Sequence, residues 1–146
     1  MFLSEAEKEK VVAAIKQAEL NTSGEVKVHI EELCPETDPF ERAKQVFLFL
    51  NLNTTAQRNG VLFYLAHGDR KFAVLGDIGI DKVVPPNFWE STRDTLRLYF
   101  AQGEFGEGLQ MGIKEAGFQL KKYFPYQKDD INEISDDIST DRKSVV

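Results

Sequence analysis

Cysteine and histidine are nearly missing from this chain of 146 residues: there is one cysteine, Cys34, and there are two histidines, His29 and His67. A single thiol excludes an internal disulfide and a cysteine-based metal site. Two imidazoles are too few for a multi-histidine zinc centre. Positive charge is also short, with 18 Lys and Arg against 24 Asp and Glu and a net charge of −6. Such a chain repels phosphate backbones on average, and no Lys/Arg cluster interleaved with aromatics offsets this, so no nucleic-acid partner is expected. No apolar run approaches the roughly 18 residues of a membrane span. The opening MFLSEAEKEK turns acidic and helical where a secretory leader would be apolar. A soluble, cytoplasmic monomer is expected.

What is present suits a folded domain. Eleven Phe, four Tyr and one Trp stand in a chain that is 42% hydrophobic, a composition far from that of disordered segments. Ser4 and Glu7 form a capping box, in which hydroxyl and carboxylate each satisfy a free backbone N–H. Val11, Val12, Ile15 and Ala18 follow at helical spacing, which predicts a helix over about 5–19. Glu25 to Glu31 alternates polar and apolar, as a half-buried strand does. Asp38-Pro39 opens a second helix with the stripe Ala43, Val46, Phe47, Leu50. Residues 51–59 read as a polar loop. Residues 61–66 and 71–75 read as a hairpin around the turn His67-Gly68-Asp69-Arg70. Gly76 to Asp81 is a glycine-punctuated loop before a short helical turn. Helices are expected over about 87–102 and from 105 to about 124. Gly108, Gly112 and Ala116, four apart, read as a helix-packing stripe. Residues 126–146 read as an acidic, mostly disordered tail, with Ile131, Ile134 and Ile138 able to form one weak helical face. The domain proper is expected over 1–125.

Strand direction sorts the acidic residues. A strand–helix–strand unit is almost always a right-handed parallel crossover, so the strands at 25–31 and 61–66 run the same way and the hairpin partner runs oppositely. The sheet is therefore mixed. Glu25, Asn59 and Asp77 fall at one edge, and His29, Glu31, His67 and Asp69 at the other. Carboxylates at neighbouring strand ends, about 4.8 Å apart between strands, can converge on one cation. Oxygen donors without Cys or His suit calcium or magnesium. The competing reading makes Asp77 and Asp81 caps of the following helical turn and leaves Glu25 an exposed strand-end charge.

Other chemistries are weaker. Gly103-Glu104-Phe105-Gly106-Glu107-Gly108 has phosphate-cradle spacing, but its glutamates repel phosphate and the Lys-Ser/Thr of a P-loop is absent. It reads as a helix start with acidic first-turn residues, from which Glu104 can still reach a cation. His29 with Glu31 and His67 with Asp69 read as solvent-facing pairs. No serine has a nucleophile-elbow context.

Ser23-Gly24-Glu25, Arg58-Asn59-Gly60-Val61-Leu62, Asp69-Arg70-Lys71-Phe72, Leu75-Gly76-Asp77-Ile78-Gly79-Ile80, Phe88-Trp89 and Gly103-Glu104-Phe105 with Gly108-Leu109 together resemble the TPM domain family, the thylakoid acid phosphatase-like domains, over about residues 8–124. The resemblance implies an α/β fold, a three-layer sandwich with helices on both faces of a small mixed sheet. It implies divalent-cation binding, calcium especially, with Asp77, Asp81, Glu25 and Asp69 matching the family's acidic positions. Glu104 stands where many members have Asp, and its longer side chain changes its reach. Acid phosphatase activity in plant members makes a weak, metal-assisted phosphomonoesterase a second expectation, with Lys82 and Arg58 the only nearby cations. A domain that meets a protein partner without metal is the third. Many bacterial members carry a signal peptide and a membrane anchor, and neither shows in this sequence.

Overall fold

Local signals set where the elements begin. In the computed structural model, which describes residues 2–127 and 138–140, Ser4 Oγ accepts from Glu7 N at 3.1 Å and Glu7 Oε1 accepts from Ser4 N at 3.0 Å. That box starts helix α1, Glu5–Asn21. Asp38 caps the next helix, α2, Pro39–Phe49, by accepting from Phe40 N at 2.9 Å. The remaining elements are strands β1 (Glu25–Glu31), β2 (Gly60–Ala66), β3 (Lys71–Gly76) and β4 (Ser139–Thr140), and helices α3 (Ile78–Asp81), α4 (Glu90–Ala101) and α5 (Phe105–Leu120). The described residues fall into two compact units, one from 2–24 and 83–127, the other from 25–82 and 138–140.

The first unit is helical. α1 turns Val11, Ala14, Ile15 and Ala18 inward, and α5 buries Leu109, Ile113, Ala116 and Leu120. Small residues set the closeness of the helices: a Cβ on Gly117 would meet Ala18 Cβ at 2.8 Å. Of the stripe expected from the sequence, Gly108, Gly112 and Ala116 are all buried, and a Cβ on Gly108 would meet Tyr99 Cβ at 2.8 Å. The chain ends of this unit are tied where Ser23 N and the Thr22 hydroxyl both donate to the Phe124 carbonyl.

The second unit holds a sheet of order β3-β2-β1-β4. β1 and β2 are parallel, with Glu25 opposite Gly60, and β2 and β3 are antiparallel, with Val61 opposite Gly76. This is the mixed α/β sheet that the crossover and hairpin signals predict. α2 lies over Leu62, Tyr64, Ala66 and Ala73 with Ala43, Val46 and Phe47.

The sequence reading needs three corrections here. β1 is buried at all seven positions and is not half-exposed, because it is an interior strand whose polar residues find partners. His29 and Glu31, expected to face solvent, are therefore 0% and 4% exposed. Residues 51–59 are not simply a polar loop: a 3-10 turn over Leu52–Thr54 buries Leu52, and Thr55 and Asn59 turn inward on each other. β4 pairs in parallel with β1, Ser139 opposite His29, within a segment that reads as tail. Ile131 and Ile134 lie outside the described residues.

Candidate functional site

β3 ends at Gly76, and the next residue stops the strand by capping α3. Asp77 Oδ1 accepts from Ile78 N at 2.8 Å. The Asp77 backbone N–H donates to Gly60 O at 2.9 Å, and its carbonyl accepts from Ile80 N and Asp81 N at 3.0 and 3.2 Å. Asp77 is thereby fixed to the first residue of β2 on one side and to a single helical turn on the other. The capping role weighed from the sequence is its observed role.

The same carboxylate holds a cation. Arg58, just before β2, donates through Nε to Asp77 Oδ2 at 2.6 Å and through Nη2 to Oδ1 at 3.0 Å. The pair is asymmetric: the Asp77 side chain is 5% exposed and that of Arg58 is 41%. Arg58 reaches this position from a left-handed backbone, φ 51°, and its carbonyl accepts from Gly79 N at 2.8 Å. The approach is close enough that a Cβ on Gly79 would meet Gln57 O at 2.2 Å and Arg58 O at 2.5 Å. Only glycine fits there.

Asp81, in the same turn, is less well served. Burial raises its pKa, and the charge of Asp77 raises it further. No ion pair reaches its carboxylate among the described residues. Lys82 caps the C-terminus of α3 through its backbone. The one guanidinium at this turn pairs with Asp77 alone.

The structure treats the remaining acidic candidates differently. Glu25 opens β1 opposite Gly60, so it stands at the same end of the sheet as Asp77, and it is buried. Asp69 stands in the turn at the opposite end of the hairpin, and its Oδ2 accepts from Cys34 N at 2.6 Å. It cannot join Asp77 on one ion, because the length of β3 separates them; its role is to hold the loop after β1. Glu104 sits at the N-cap position of α5, in the helical unit, without a side-chain cap bond. No group of three or more His, Cys, Asp or Glu close enough to hold a metal occurs among the described residues. Asp77 and Asp81 nonetheless fit a hard cation in two respects: their donors are all oxygen, and the Arg58 guanidinium already stands on Asp77 as a cation would. Two carboxylates are fewer than a calcium or magnesium shell holds, so water and backbone oxygens would have to complete it.

A second polar cluster escaped the sequence reading. Arg42 of α2 donates to both oxygens of Glu31, at 2.8 Å from Nε and 2.9 Å from Nη2. The Tyr64 hydroxyl also donates to Glu31. His29 Nε2 lies 3.5 Å from Glu31 Oε1, and His29 Nδ1 is 2.9 Å from Ser139 Oγ. Burial acts to raise the Glu31 pKa, but the hydrogen bonds from Arg42, His29 and Tyr64 hold it down at about 2. Burial and the neighbouring Glu31 push the Tyr64 hydroxyl well up. A signal was present: Arg42 falls on the apolar stripe of its helix beside Ala43 and Val46, where a charge requires a buried partner.

The comparisons agree with this architecture. The TPM domain profile matches residues 1–118. The structure of the BA42 protein from the psychrophilic bacterium Bizionia argentinensis is 47% identical, covers 97% of each chain and superposes with a TM-score of 0.90. The N-terminal domain of the cg2496 protein from Corynebacterium glutamicum, 12% identical over 94% of this chain and 79% of that one, shares the fold with a TM-score of 0.62. No curated protein matches significantly. On the strength of the profile match, which spans most of its length, the chain belongs to the TPM domain family.

Proposed function

We propose that this TPM domain is a divalent-cation binding module with a binding or regulatory role, and that Asp77 and Asp81 supply its charged ligands. One observation supports the reading above the others: of two aspartates in a single helical turn only Asp77 holds a cation, Arg58, and no ion pair reaches Asp81 among the described residues. A small hard ion, calcium or magnesium, cancels both charges at once, completing its shell with water and backbone oxygens. Glu25 stands at the same sheet end. Asp69 and Glu104 have no part in the proposal. The ion would stiffen the turn that presents Ile78, which is 47% exposed, and so offer a protein partner a formed surface. Hydrolysis of phosphomonoesters is not proposed, because phosphoryl transfer needs positive charge gathered around the equatorial oxygens and, among the described residues, Arg58 is the one cation that pairs at this turn.

The test is a titration of the isotope-labelled full chain with calcium chloride, and separately with magnesium chloride, followed by amide NMR. Asp77, Gly79 and Asp81 should shift together along one saturating curve, and the Asp77→Asn, Asp81→Asn double variant should show none of it. Weak shifts scattered over the whole acidic surface would sink the reading.

A further inference from the structure

We infer that Arg58 is a built-in competitor of the cation: its guanidinium occupies the face of Asp77 that an ion must take, so metal binding is an exchange of Arg58 for the ion and not an addition to a vacant site. The inference rests on the cation reading of Asp77 and Asp81 given above and assigns a regulatory residue to that site.

The geometry argues for exchange. Asp77 has two carboxylate oxygens and three donors on them: Nε on Oδ2, and Nη2 together with the Ile78 N–H on Oδ1. The Ile78 N–H belongs to the α3 cap. The guanidinium, 41% exposed above a carboxylate that is 5% exposed, lies on the solvent side, from which an ion arrives. A bidentate guanidinium and a divalent ion demand the same lone pairs, so both cannot hold Asp77 fully. The backbone of Arg58 need not leave, since its carbonyl is held by Gly79 N. Only the side chain has to swing outward, which its exposure permits.

The exchange also explains why one partner is an arginine. A planar fork satisfies both oxygens and keeps the turn formed without an ion. It pairs with Asp77 alone, and no ion pair reaches Asp81 among the described residues, so a divalent ion that satisfies both aspartates has the advantage once its concentration is high enough. The affinity threshold is then set by Arg58, and release of its guanidinium reports occupancy.

The experiment compares the full-length wild type with Arg58→Gln and Arg58→Lys by calcium chloride titration, reading the amides of 77–81 and, in the wild type, the Arg58 side-chain Nε–H resonance. Exchange predicts that Arg58→Gln binds calcium roughly two- to fivefold more tightly, as expected for loss of one partly exposed ion pair. Arg58→Lys, which retains charge without the fork, should fall between. In the wild type the Nε–H signal should move to the position of a free arginine as the amide curve saturates. If calcium shifts the 77–81 amides with equal affinity in all three proteins and the Nε–H signal stays fixed, the competitor role is wrong while cation binding stands. If calcium shifts those amides in none of them, cation binding itself fails and the competitor role falls with it. The wild-type Nε–H signal decides the matter even should a variant misfold.

Discussion

Glu31 is kept ionised inside the sheet by its neighbours, and the sign of its effect on stability follows. Its ordinary value of 4.5 is lowered to about 2 in the fold. A group with a depressed folded pKa contributes stability above its unfolded value and loses it as pH falls through the folded one. Between 4.5 and about 2 the contribution at stake is about 3 kcal/mol. Glu31→Gln should therefore cost about 3 kcal/mol at pH 7, where Arg42 is left buried without its anion. The gap from wild type should close as urea melts are repeated from pH 5 down to about pH 2. A constant gap would show that the charge is not the cause. Asp81 has the opposite sign: burial and Asp77 raise its pKa, so its ionised form opposes folding at neutral pH and the opposition eases as pH falls. Asp81→Asn, measured with a chelator present, should leave the melting temperature unchanged or raise it, within about 0.5 kcal/mol. A loss beyond about 1 kcal/mol would assign Asp81 a structural bond that the geometry lacks.

At the scale of elements, two glycines that look alike in the sequence do different things. Gly79 lies in α3 against the carbonyls of Gln57 and Arg58. Gly103 follows the Gln102 cap of α4 at φ 76°, with open space where a Cβ would go. Gly79→Ala must push two backbone carbonyls away and should cost roughly 1–3 kcal/mol. It should also disturb the Arg58–Asp77 pair, visible at the Arg58 Nε–H resonance. Gly103→Ala meets only the left-handed backbone penalty, about 1 kcal/mol, with that resonance unmoved. Paired thermal melts and spectra distinguish the two. The glycine-punctuated loop was readable as a place where the chain turns; which glycine faces another backbone depends on how the segment before β2 lies on α3.

For the molecule as a whole, the telling contact joins positions far apart in the chain. β4 adds to β1 beyond the 1–118 span matched by the family profile, and Ser139 Oγ meets the buried His29 Nδ1. Removing a partner from a buried polar atom costs about 1–3 kcal/mol. Ser139→Ala should lower stability by that order and speed amide exchange at His29 and Ile30, which pair with the strand. An unchanged melt and unchanged exchange would show that β4 adds nothing to the sheet. Two residues are too short to carry a periodic pattern, so the sequence shows this strand only as tail.

The sequence by itself determined whatever depends on neighbours along the chain. The Ser4–Glu7 box, the Asp38-Pro39 start, the hairpin and the hand of the β1-α2-β2 crossover are local geometry, and they sort Glu25 and Asp77 to one sheet end and Asp69 to the other. The tertiary structure decided the pairings: Arg58 on Asp77, Arg42 with Tyr64 on Glu31, and Ser139 on His29. Each joins residues brought together by register and helix placement, which no local periodicity records. A carboxylate that spacing alone offers as a metal ligand is thus, once folded, a helix cap already holding an arginine.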